Sequence, residues 1–147
     1  MITLFEHFYK KGLPITYSGI ILDDESRNLL LSTFIYPNPE FSDWIKIAHH
    51  MTICLGELPE HMKRYWLDEE VTLTVRELGI SDKAVAVKVT GFYTISKPSV
   101  EEGPEFQHIT LAINPEDAKP ADSNRIEDWQ KVVTPLKLRG VIKEIQL

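Results

Sequence analysis

Two stretches of the sequence repeat one arrangement of reactive side chains: His50-Met51-Thr52-Ile53-Cys54-Leu55 and His108-Ile109-Thr110-Leu111-Ala112-Ile113. Both read His, apolar, Thr, apolar, small, apolar. In an extended strand, residues two apart share a face, so His50, Thr52 and Cys54 point one way, as do His108, Thr110 and Ala112. Met51, Ile53 and Leu55 in one copy, and Ile109, Leu111 and Ile113 in the other, fall on the opposite face, which reads as the face turned to the core. Each strand thereby offers an imidazole and a hydroxyl side by side above an apolar anchor. With an unperturbed pKa of about 6.5, imidazole is suited to proton transfer near neutrality, and two of them can serve one reaction as base and acid. A threonine hydroxyl beside each can donate a hydrogen bond to an oxygen on which negative charge gathers.

The pattern is more specific than its parts. Ser and Thr together are 18 of the 147 residues, so two of five histidines followed two positions on by a hydroxyl would arise by chance about one time in ten. Requiring apolar flanks in both copies lowers this to roughly one in a hundred or below. The copies lie 58 residues apart, far enough for each to occupy its own half of a fold.

Other candidates carry weaker signals. His49 directly precedes His50, so strand alternation turns it to the opposite face, where a structural or surface role is expected. A metal site drawn from His49, His50, Cys54, His61 and His108 lacks any compact two-plus-two ligand spacing and has a single thiol, so no metal and no cofactor are expected. Cys54 reads as a small packing residue on the His50 side of its strand. After the second copy, Lys119 could supply charge, and Ser123 and Asn124 hydrogen-bond donors, to a phosphate or base; solvated loop residues are the alternative. Tyr17 could stack on a base or bind a phosphate, or be buried as an ordinary strand aromatic. Trp44, Trp66 and Trp129 read as core or rim packing, and Asp68-Glu69-Glu70 as a solvated strand entrance.

The elements that must position these residues follow from periodicity and breakers. Residues 15–22 are β-rich and end at Asp23-Asp24, either of which can cap a helix over 25–34; Pro37 and Pro39 stop it, leaving a loop over 36–42. Residues 47–55 read as a strand closing at Gly56, and 60–66 as a helical turn or short helix. The segment 70–78 alternates, with Val71, Leu73 and Val75 on one face, and pairs across a turn at 79–83 with a strand over 84–89. A polar loop spans 96–105, a strand 108–113, a second Pro-containing loop 114–124, a turn or helix 125–130, and a last strand 136–145. About six strands and one or two helices without βα alternation give an α+β class with largely antiparallel pairing.

At 147 residues the chain fits one domain, 1–147. An apolar fraction of 43% with 26% charged residues is that of a folding globular protein. Sixteen Lys and Arg against 22 Asp and Glu give a formal charge of −6, which weighs against a wide phosphate-backbone footprint and leaves room for a pocket holding a single phosphate. Cys54 is the only cysteine, so no intramolecular disulfide can form and a reducing cytosol suits the chain. The start, MITLFEHFYKK, lacks a signal-peptide layout and no apolar run reaches spanning length. A cytoplasmic protein without membrane contact is expected.

With these features the sequence resembles the two-histidine (2H) phosphoesterase superfamily, whose signature is a pair of His-x-Thr/Ser motifs on strands facing a common cleft. HHMTICLG at 49–56 and HITLAIN at 108–114 carry the resemblance. The flanks TYSGIILDDES and KPADSNRIEDW are similar to LigT-type members and to the cyclic phosphodiesterase domain of tRNA ligases. The resemblance implies a bilobal α+β fold, two mainly antiparallel sheets with pseudo-twofold symmetry around a central cleft. It also implies metal-independent catalysis by His50, His108, Thr52 and Thr110. The implied reaction is hydrolysis of a 2′,3′-cyclic phosphate at an RNA end or in a small nucleotide, as in RNA processing and repair. Cleavage of cyclic oligonucleotide signals or of 3′-5′ or 2′-5′ linkages is the alternative within the same chemistry; a non-catalytic nucleotide-binding module is the alternative outside it. The expected partner is an RNA end or small cyclic nucleotide taken by a monomer, with no long-duplex binding. Which histidine is base and which acid depends on the direction of the substrate and stays open at this stage.

Overall fold

The computed structural model describes residues 15–92, 107–116 and 118–146. The expected loop over 96–105 and the chain start lie outside the described residues. Among the described residues eight strands are formed: β1 Tyr17–Leu22, β2 Ile45–Lys46, β3 His50–Leu55, β4 Glu70–Ile80, β5 Ala84–Thr90, β6 His108–Ile113, β7 Trp129–Lys131 and β8 Lys137–Ile145. The α-helices among the described residues are α1 Asp24–Leu30 and α2 Glu60–Trp66. The class is α+β with antiparallel pairing, as expected. All strands belong to one sheet, whereas the sequence reading expects two. Six of them close into a ring, β1-β3-β6-β5-β4-β8 and back to β1, because β6 pairs with β3 on one edge and with β5 on the other. Closure removes the open edges that isolated sheets must protect.

The inward face of the ring is mostly apolar, with the buried Ser18 hydroxyl donating to the Gly56 carbonyl at 2.8 Å. Ile20, Met51, Ile53, Leu73, Val75, Val85, Val87, Ile109, Leu111 and Leu138 are each fully buried in one cluster. Each such side chain contributes about 1.5–3 kcal/mol when taken out of water, so the pattern legible as alternation is also the main source of cohesion. Asp23 caps α1 as expected, its carboxylate accepting from the Ser26 N–H at 2.8 Å. The Ser26 hydroxyl in turn accepts from the Arg139 N–H at 2.7 Å, tying the helix start to β8. The expected helix to Phe34 ends at Leu30 and continues as a wider π turn, Leu31–Ile35, which sends Leu31, Phe34 and Ile35 into the core.

Three local departures from the expected elements have physical causes. The expected strand over 47–55 is interrupted: Ala48 takes a positive φ of 44°, a conformation that L-residues adopt sparingly. Residues 125–130 form no helix; a 3₁₀ turn occupies Pro120–Arg125, and Trp129–Lys131 adds to β4 as β7. Gly79 makes this possible, since a Cβ there would meet the Trp129 ring at 2.6 Å. Finally, Leu55 is 69% exposed and Cys54 only 8% exposed, the reverse of the expected faces. An extra residue, Ile53, bulges between the pairs Gly19↔Thr52 and Ser18↔Cys54, and one inserted residue flips the parity of everything beyond it.

Gly19 sits where β1 approaches β3 beside Thr52, and a Cβ there would lie 2.7 Å from the Met51 carbonyl oxygen. Gly19→Ala is expected to destabilise the fold by about 1–3 kcal/mol as an overpacking change, read as a lowered urea midpoint. An unchanged midpoint would contradict this close approach of the two backbones.

Candidate active site

β3 and β6 meet at one residue pair, Met51↔Ile109, and these are the same position of the two His-x-Thr copies. Both side chains are fully buried. Because alternate residues point to opposite faces, burial of Met51 and Ile109 turns His50, Thr52, His108 and Thr110 to the outer face around this junction. The structure therefore brings all four together. His108 lies close enough to His50 for its charge to be felt there.

The copies also share a backbone irregularity. On β3 the unpaired residue is Ile53, between Thr52 and Cys54; on β6 it is Leu111, between Thr110 and Ala112, where the register with β5 shifts between Val85 and Ala86. Opposite the two threonines stand small residues, Gly19 on β1 and Ala86 on β5. The repeat thus extends from side-chain type to strand register.

Around His50 the structure departs from strand alternation. Ile47 and Ala48 donate their N–H groups to Leu111 and Thr110 of β6, and the next contact with β6 is Met51 opposite Ile109. His49 and His50 lie in between, where β6 advances by a single residue. His49 therefore does not point away from His50: the two Nδ1 atoms are 2.9 Å apart. This corrects the expectation of opposite faces, which holds only where a strand pairs regularly, and β6 pairs with neither histidine here. Tyr17 stacks on His50, with ring centroids 4.5 Å apart and planes 24° from parallel, and its hydroxyl lies 3.4 Å from the same Nδ1.

These surroundings set protonation. Burial, and then the neighbouring His49 and His108, push the His50 pKa down from 6.5 to about 4. His49 is lowered by burial and by the charge of Arg27, whose Nε–H is held by the Ile47 carbonyl at 3.0 Å. Burial raises Tyr17, so its phenol keeps its proton. Near neutral pH His50 is a neutral imidazole.

The loop candidates divide. Ser123 is 1% exposed and its hydroxyl shares a 2.8 Å hydrogen bond with that of Thr110; it supports the motif from beneath and is not open to a ligand. Lys119 and Asn124 stay exposed on the same 3₁₀ turn and join no hydrogen bond to the motifs among the described residues. Cys54 is buried, its thiol 3.6 Å from the Glu57 carbonyl, and not on the imidazole side. Two neighbours escaped the sequence reading. His49 was visible as half of a histidine doublet, but no residue type marks the positive φ at Ala48. Lys88 stands opposite His108 with its ammonium 4.4 Å from the Trp129 ring centroid.

An open groove of about 970 Å³ is walled by Tyr17, Ile21, His49, Lys143 and Ile145, with none of the four motif residues in its lining; Tyr17, stacked on His50, and His49 stand between it and the motifs. Its size falls in the range of small-molecule sites. Among the described residues no three or more His, Cys, Asp or Glu gather where they could hold a metal ion. No helix among them is long and apolar enough to cross a membrane. No protein-family model matches the chain, and no curated protein is similar to it in sequence.

The depressed pKa of His50 links the site to stability. As pH falls below about 6.5 the unfolded chain binds a proton at this position while the folded chain resists until about 4, so stability declines across that window. The wild-type melting temperature is expected to drop between pH 6.5 and 4 more than that of His50→Asn. Equal drops in both proteins would contradict a buried, neutral His50.

Proposed function

We propose that the chain is a phosphodiesterase of the two-histidine kind, built as two related halves that meet at the Met51–Ile109 junction. The observation that carries this reading is the doubling. Both His-x-Thr strands carry the same bulge and meet at the same motif position, the pairing that a pseudo-twofold axis through that point would produce. In-line displacement at phosphorus needs a base on one side and an acid on the other, and a symmetric pair of imidazoles supplies both without a metal. Thr52 and Thr110 then donate to the non-bridging oxygens as charge gathers on them.

The reaction runs as follows. A neutral imidazole removes a proton from water, the oxygen so activated attacks phosphorus, and the bond from phosphorus to the leaving oxygen breaks. The second imidazole, protonated, delivers its proton to that oxygen. For a 2′,3′-cyclic phosphate the product is a ring-opened monoester. The net charge of −6 disfavours a long duplex.

On a 2′,3′-cyclic-phosphate-terminated oligoribonucleotide, His50→Ala and His108→Ala should each lower kcat at least about a hundredfold. Thr52→Ala and Thr110→Ala should lower it roughly ten- to a thousandfold. With His50 as the deprotonated partner, the acidic limb of kcat/KM should lie near 4 rather than 6.5. Near-wild-type turnover in either histidine variant would overturn the two-imidazole mechanism. Tight nucleotide binding without turnover would favour a binding module.

A further inference from the structure

We propose that His49 is a positioning residue for His50: its Nδ1 accepts the Nδ1–H of His50, which keeps the reactive lone pair of His50 on Nε2 and makes His50 the base and His108 the acid. The reaction and the direction of the hydrogen bond rest on the phosphodiesterase reading above; the contact between the two ring nitrogens rests on geometry.

Two ring nitrogens 2.9 Å apart need one N–H and one lone pair between them. If His49 donated, the proton of neutral His50 would sit on Nε2, and that nitrogen would have nothing with which to accept a proton from water. Protonating His50 would also place two N–H groups against each other across the same 2.9 Å. If His50 donates, its Nε2 carries the lone pair, and the contact survives unchanged when Nε2 takes up the proton. Only this arrangement serves a base. The neighbours agree with it. The Arg27 guanidinium, anchored on the Ile47 carbonyl, opposes a protonated His49 and so preserves a lone pair on that ring. The Tyr17 oxygen, 3.4 Å from the same Nδ1, offers a second, weaker acceptor, and the stacked Tyr17 ring restricts rotation of the imidazole. The arrangement parallels the general pattern in which a base is oriented through its other ring nitrogen, with a neutral imidazole in the place more often taken by a carboxylate.

The test uses the full chain with nitrogen-15-labelled histidine, without substrate, near pH 7. Imidazole nitrogen shifts of His50 are expected to report protonated Nδ1 and bare Nε2 in the wild type, and a shift towards protonated Nε2 in His49→Ala. His49→Asn, whose side-chain oxygen can accept in place of Nδ1, should keep the wild-type pattern. On the cyclic-phosphate substrate, His49→Ala should lower kcat roughly ten- to a hundredfold with KM within about twofold, and His49→Asn should restore most of the loss. A wild-type spectrum with the proton on Nε2, or equal kcat loss in the two variants, would overturn the inference. Should His49→Ala fail to fold, the wild-type and His49→Asn spectra decide it. A wild-type spectrum as expected together with no phosphodiester turnover would overturn the enzymatic reading and leave the hydrogen bond standing.

Discussion

The pairing of Met51 with Ile109 is the contact on which the rest of the structure depends. It is the point at which β3 joins β6 and the ring of six strands closes. Its two side chains are fully buried, and burying each contributes on the order of 2–3 kcal/mol. Strand parity converts that burial into function: with the middle residue of each motif fixed inward, the histidine and threonine on either side of it are turned outward. One hydrophobic contact thus orients four polar side chains at the junction.

Around this contact the backbone is irregular where the chemistry requires it. The matched bulges at Ile53 and Leu111 let the inner faces of both strands stay packed beyond the motif while the strands bend. Ala48, with its positive φ, costs of order 1–3 kcal/mol of local strain. It is held by the Thr110 carbonyl and by full burial. His49 and His50 follow it in the stretch that β6 leaves unpaired, with their Nδ1 atoms 2.9 Å apart. Burial first, and then the neighbouring His49 and His108, keep His50 neutral.

Much of this was legible in the sequence, for reasons that can be named. The His-x-Thr repeat survives translation into structure because it needs only two-residue periodicity. The Asp23 cap, the β4–β5 hairpin and α2 at Glu60–Trp66 rest on equally local rules. What was not legible depends on partners distant in sequence. The exposure of Leu55 follows from a register shift against β1, and nothing within HMTICL marks Ile53 as the extra residue. β7 forms because Gly79, fifty residues earlier, leaves space for Trp129. The place of His49 beside His50 is not legible because it depends on where β6, some sixty residues later, stops pairing with this stretch. Ser123 was read as a ligand-binding loop residue, yet the 3₁₀ turn buries it against Thr110.

The most direct test of the paired-histidine site is turnover in excess EDTA of an oligoribonucleotide ending in a 2′,3′-cyclic phosphate, with His50→Ala/His108→Ala as the control. Products would be resolved by mass and by sensitivity to phosphatase. Conversion to a ring-opened monoester, gaining the mass of one water and absent in the folded double variant, is the predicted result. Failure of the folded wild-type protein to open the ring, or equal opening by the double variant, would contradict it.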